Sequence, residues 1–180
     1  MTLPFRAPEI PAGFRHALPR GIRIVTRGDH EFIVISELLC PTGCSLITPT
    51  VSLHGEDAIC LKVRAGGTQG LLFLAAHWGG HKKLFDFMFR QGDADPVIEA
   101  FCPHCNIPMT VESRCRWPGC HSLKKIEFHL PDPGCRILAC ARWGCPEHEL
   151  ISAAVPRELL DSVSRINFFG EGEESIFSAR

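Results

Sequence analysis

From Ile22 onward the hydrophobic positions fall in short runs rather than in helical stripes. Ile22–Thr26, Glu31–Leu39, Ala58–Val63 and Leu71–Ala75 are rich in Ile, Val, Leu and Phe, residue types suited to a pleated, half-buried surface. Arg64-Ala65-Gly66-Gly67-Thr68 separates two of these runs and predicts a hairpin loop. A second Gly-Gly loop, His77-Trp78-Gly79-Gly80-His81, leads into Leu84–Phe89, whose apolar positions match neither the strand nor the helix period. Pro96–Phe101, Lys125–Leu130 and Arg136–Ala139 predict further strands, the first and last delivering the chain into Cys102 and Cys140. One helix is legible. It begins around Pro156 and carries Leu159, Leu160, Val163 and Ile166 on one face. Pro4, Pro8, Pro11 and Pro19 predict an extended arm before Gly21, and Glu171-Gly172-Glu173-Glu174-Ser175 predicts a frayed acidic tail.

Composition narrows the class. Apolar residues are 45% of the 180 and charged residues 22%, ordinary globular usage that suits neither a fibre nor a disordered chain. The length suffices to bury a core. A net charge of −1 argues against a dedicated nucleic-acid binder, whose affinity rests on clustered cations neutralising phosphates. Arg114, Arg116, Lys124 and Lys125 do gather locally, where they would balance a metal cage of four thiolates. No run approaches the length of about 18 apolar residues that spans a bilayer. The first ten residues carry prolines and charges where an export signal needs an apolar run. The expectation is therefore a soluble cytoplasmic protein, in which ten cysteines are kept reduced as thiolate ligands rather than paired as disulfides.

Their spacing gives the chemistry. Cys102-Pro103-His104-Cys105, Cys115-Arg116-Trp117-Pro118-Gly119-Cys120, Cys40-Pro41-Thr42-Gly43-Cys44 and Cys140-Ala141-Arg142-Trp143-Gly144-Cys145 each bend two thiols around a short turn. A tetrahedral ion needs such pairs, because one tight turn holds two sulfurs on the same side. Pro after the first cysteine fixes the bend, and Gly before the second lets backbone approach the sulfur. The nearest pairs in sequence, Cys102, Cys105, Cys115 and Cys120, make the first expected cage. Cys145-Pro146-Glu147-His148 repeats the Cys-Pro-x-ligand spelling with an imidazole, so the second expected cage is Cys40, Cys140, Cys145 and His148. Cys44 substitutes if Cys140 points away, and a pairing of Cys102 and Cys105 with Cys140 and Cys145 stays open.

Among the remaining candidates, Cys60 sits in an apolar strand and reads as core, while Cys135 at a Pro-Asp-Pro-Gly turn reads as partly exposed. His77 and His81 read as loop surface more readily than as a catalytic metal pair. Glu147 and Glu149 flank a candidate ligand, yet neither becomes a general base without an open coordination position. Trp78, Trp117 and Trp143 read as rings packed over knuckles. No nucleophile elbow, phosphate loop or His-Glu-x-x-His helix is present.

The Cys-Pro-x-Cys and Cys-x4-Cys knuckles over about residues 100–150 resemble the zinc-ribbon group. The Cys-Pro-His-Cys turn alone is similar to half of a rubredoxin iron site, although rubredoxins keep two-residue spacing in both knuckles and Cys115–Cys120 has four. Cys-Pro-Thr-Gly-Cys-Ser-Leu-Ile from residue 40, together with Cys-Ala-Arg-Trp-Gly-Cys-Pro-Glu-His from residue 140, also resembles a group of cysteine-rich cytosolic bacterial proteins without assigned activity. The resemblance implies a small metal-stabilised β unit that serves macromolecular contact.

The resulting expectation is a mainly β (α+β) chain: an extended arm over 1–30, a β-rich region over 31–100, a zinc-ribbon-like metal-binding unit over 101–150, and a C-terminal helix with an acidic tail over 151–180. One or two Zn²⁺ ions per chain, with iron as the alternative, would close the knuckles and present a surface to another protein. The rival reading is a redox or metal-handling protein, and a metal-dependent enzyme ranks below both.

Overall fold

The computed structural model describes residues 9–87 and 95–167. Pro4, Pro8, the end of the Leu84–Phe89 run and the acidic tail lie outside them. The chain is mainly β, with eleven strands and two helices among the described residues. Ala12–His16 forms a short helix, α1, where an extended arm is expected. Pro11 precedes its first turn, a position proline tolerates because no hydrogen bond is lost there, and full burial of Phe14 fixes it.

β1 (Ile22–Arg27) and β2 (His30–Ile35) pair as a hairpin from Ile22↔Ile35 to Arg27↔His30. The sequence run continues to Leu39, but β2 stops at Ile35, whose amide turns to the carbonyl of Ala76. β3 (Ile47–Leu53), β4 (Glu56–Ala65), β5 (Thr68–Leu74), β6 (Lys83–Phe85) and β7 (Glu99–Phe101) form the largest sheet. β4 is its centre, buried continuously from Ala58 to Leu61, as a strand covered on both faces must be. β5 runs along one edge of β4. The other edge is shared, with β3 beside residues 56–59 and β7 beside 62–64.

The third sheet is an antiparallel meander of β8 (Thr110–Glu112), β9 (Lys124–His129), β10 (Arg136–Cys140) and β11 (His148–Ile151). In a meander, alternate connections emerge at the same end. The β8–β9 connection carries Cys115 and Cys120, and the β10–β11 connection starts at Cys140 and carries Cys145. Both knuckles therefore leave one end of the sheet, whereas Cys102–Cys105 enters β8 from the other.

α2 (Arg157–Ser164) follows Pro156, which stands just before the first helical residue. Val163 is buried, and the Trp78 indole donates 2.8 Å to the Val163 carbonyl. One hydrophobic core takes in Phe14, Phe32, Leu61, Phe128 and Val163, so residues from the arm, both larger sheets and α2 exclude water together. No described helix is long and apolar enough to cross a membrane.

Candidate metal centres

Two groups of four cysteines lie with their sulfurs within 4.8 Å of one another: Cys40, Cys44, Cys102 and Cys105, and Cys115, Cys120, Cys140 and Cys145. This division differs from the expected one. Cys102 and Cys105 join the residue-40 knuckle rather than Cys115 and Cys120, and Cys140 and Cys145 join the residue-115 knuckle rather than Cys40. Extended chain rises about 3.3 Å per residue, so β8 and its flanks set the 102–105 and 115–120 knuckles on the order of 20 Å apart. Nearness in sequence is undone by a strand.

The Cys115 cage is built from two copies of one turn. The amide two residues beyond the first cysteine donates to its sulfur: Trp117 to Cys115 and Arg142 to Cys140, both at 3.4 Å. The second cysteine's amide then donates to the carbonyl of that same residue, Cys120 to Trp117 and Cys145 to Arg142. Gly119 and Gly144 make this possible at φ of 81° and 83°, backbone that a Cβ would strain. The sulfurs meet at 3.6 Å for Cys115–Cys145 and 3.8 Å for Cys120–Cys140.

The Cys40 cage is assembled across sheets. Leu39 bridges both Ser45 and His129 of β9, and the Cys60 amide of β4 donates to the Leu46 carbonyl, fixing the turn between them. β7 ends at Phe101 and hands the chain directly to Cys102. Cys40 and Cys105 sulfurs lie 3.8 Å apart, and the Thr42 hydroxyl stands 3.1 Å from both. The Cys44 amide donates to Cys40 Sγ at 3.3 Å and the His104 amide to Cys102 Sγ at 3.4 Å. Cys105 is exposed in this cage, while Cys40 and Cys102 are buried. Thr42 is the site residue that sequence reading missed, its only signal being a hydroxyl placed inside a knuckle.

These distances fit a metal. A tetrahedral zinc–thiolate bond of about 2.3 Å sets its sulfurs about 3.8 Å apart, and a disulfide would bring them to about 2.0 Å; all ten cysteines are free thiols. The electrostatics ask for a cation as well. In the Cys40 cage, burial raises the Cys40 thiol, but hydrogen bonds from Thr42 and the Cys44 amide more than reverse this, to about 6. Burial and the neighbouring thiols push Cys44 up to about 12. In the other cage, burial raises Cys120, yet the Ser122 amide and three thiols bring it to about 7, while burial drives Cys145 to about 12. Hydrogen bonds thus favour the thiolate at Cys40 and Cys105 in one cage and at Cys120 in the other, while burial makes Cys44, Cys102, Cys115 and Cys145 resist ionisation. A divalent ion removes that resistance, because a coordinating thiol is deprotonated outright.

His148 belongs to neither group. It opens β11 opposite Ala139, its Nδ1 donates 2.9 Å to the Pro146 carbonyl, and its ring packs edge-on to Trp78 at 4.7 Å. The Cys-Pro-x-ligand spelling is thus shared with Cys102–Cys105, but strand pairing turns the imidazole to the core. His77 is buried rather than on the surface, edge-on to Phe32 at 5.9 Å, and His81 Nε2 donates 3.0 Å to Asn167 Oδ1. Neither lies in a metal-spaced group among the described residues. Cys60 is buried in β4 as expected, and Cys135 is buried where part exposure is expected.

Two of the local cations, Arg116 and Lys125, are engaged by carboxylates. Lys125 is 1% exposed, with Nζ 3.2 Å from Glu147 and 3.3 Å from Glu149, and both glutamates also pair with Arg116. The Arg116 amide donates 2.8 Å to Glu147, which ties the two knuckles of the Cys115 cage together. Burial raises the Glu147 carboxyl, but the Cys115 thiol, the Arg116 amide and Lys125 outweigh it and hold the group below the usual range. Removing one partner of a buried pair costs about 3–5 kcal/mol. A Lys125→Ala variant is therefore expected to lose about 3 kcal/mol in denaturant unfolding, because both glutamates keep Arg116.

Comparison of the chain with protein-family models, with curated proteins and with solved structures found no match.

Proposed function

We propose that each four-cysteine cage holds one Zn²⁺ and that the chain is a zinc-stabilised scaffold that docks another protein in a reducing compartment. One observation carries this reading: eight of the ten cysteines, from four separate knuckles, converge into two tetrads at zinc–thiolate spacing. Thiolates suit zinc and iron alike. The four-residue loops of the Cys115 cage favour zinc over a rubredoxin-type iron centre. At the tip of that cage Trp117 remains 39% exposed, and Leu123 on the same connection is 61% exposed. A rigid aromatic beside an apolar neighbour is the kind of anchor partners use, and the near-neutral charge favours a protein over a nucleic acid.

Elemental analysis of protein purified under reducing conditions is expected to find two zinc ions per chain and no visible absorption. Iron with a visible thiolate band would replace this reading with electron transfer. The exposure of Cys105 supports metal exchange at the Cys40 cage, so a chelator is expected to withdraw one zinc quickly and the other slowly.

A further inference from the structure

A partly open cavity of about 140 Å³ lies between the largest sheet and the meander. Ile59, Leu72 and Ile98 line it from one side and Ile126, Phe128 and Ile137 from the other, all of them buried. A cavity of about this size with aliphatic and aromatic walls stays dry and admits a single benzene-sized molecule. Elsewhere the lining changes character and includes Trp78, Lys83, Trp143 and His148.

Lys83 is the informative residue. It lies on the edge strand β6, half-buried, with Nζ 4.6 Å from the centre of the Trp143 ring. Among the described residues no carboxylate oxygen lies within ion-pair distance of it, whereas Lys125 meets two. An ammonium removed from water without an anion is costly, and its aromatic contact offsets only part of that cost. His148 lines the same cavity, with its Nε2 buried. Convergent polar groups beside an otherwise apolar pocket are what fix a ligand's orientation.

We propose that this cavity binds a small apolar carboxylate, with the hydrocarbon body against the aliphatic walls and the carboxylate on the Lys83 ammonium. This goes beyond the scaffold role and does not depend on it. The site lies beside Cys140 and Cys145, which also line the cavity, so an occupied pocket would brace the knuckle of the Cys115 cage from its inner side.

The test uses the full metal-loaded chain and four probes: benzoate, toluene, benzylamine and acetate. Trp78 and Trp143 report occupancy by fluorescence, and thermal melting reports it independently. Benzoate is expected to give a saturable emission change and a raised Tm. Toluene, lacking the head, and acetate, lacking the body, are each expected to bind about tenfold more weakly or less tightly still, and benzylamine not at all. No saturable response to benzoate overturns the proposal, as does a response to benzylamine or acetate equal to that of benzoate. Lys83→Met is expected to weaken benzoate by about tenfold while leaving toluene unchanged. Its metal content and melting confirm that it folds, and the comparison of probes on the unaltered chain stands without it. Unchanged benzoate affinity in a folded Lys83→Met protein would remove the assigned anchor and with it the proposal.

Discussion

A Cys102→Ser, Cys115→Ser double variant is expected to hold no tightly bound metal, whereas a Cys40→Ser, Cys102→Ser double variant keeps one ion. Cys40 and Cys102 share a cage, so removing both damages one tetrad and leaves Cys115, Cys120, Cys140 and Cys145 complete. Cys102 and Cys115 stand in different tetrads, and each loss leaves three thiolates where a closed structural site needs four ligands. The grouping by nearness in sequence, with Cys102, Cys105, Cys115 and Cys120 together, reverses both results. Metal content after exhaustive dialysis separates the two arrangements, since the same number of cysteines is lost in each variant. One ion retained by the Cys102→Ser, Cys115→Ser chain would refute the cage division.

Stripping the metal altogether is expected to abolish cooperative melting. Structural zinc contributes an apparent ~10–16 kcal/mol in small modules, while an entire domain is stable by only ~5–15 kcal/mol. The Cys40 cage ties the turn between the β sheets to the end of β7, and the Cys115 cage ties the two connections at one end of the meander. Without an ion, each tetrad leaves four thiols crowded within 4.8 Å with nothing to join them. Treatment with a strong chelator under reducing conditions should flatten the near-ultraviolet circular dichroism, and added zinc should restore it. A cooperative transition within a few degrees of the metal-loaded Tm would show instead that the shared core from Phe14 to Val163 holds the chain by itself.

Much of the local structure was written in short-range pattern. The apolar runs at Ala58–Val63 and Leu71–Ala75 became β4 and β5 with Gly66 and Gly67 in the turn between them, because a β-branched and aliphatic run bounded by glycine has few other ways to bury itself. The four knuckles were equally local, since Pro and Gly placed around two cysteines determine the turn without help from the rest of the chain. Weaker elements escaped. β8 is only Thr110-Val111-Glu112, β11 begins at His148, and β3 carries a proline at Pro49. Each is too short or too interrupted for a period to register, and each is held by its neighbour in the sheet.

The sequence by itself determined that this protein is mainly β, that it ends its core with an amphipathic helix, and that eight of its ten cysteines occur as pairs in turns. Which pairs meet was decided only by tertiary structure. Missing β8 hid the meander, and the meander is what sends Cys115–Cys120 and Cys140–Cys145 to one end while leaving Cys102–Cys105 at the other. The same strand pairing seats His148 against Trp78 and away from the sulfurs. A knuckle is a property of five or six consecutive residues, but a cage is a contact between two of them, and sheet topology sets that contact over distances no local pattern spans.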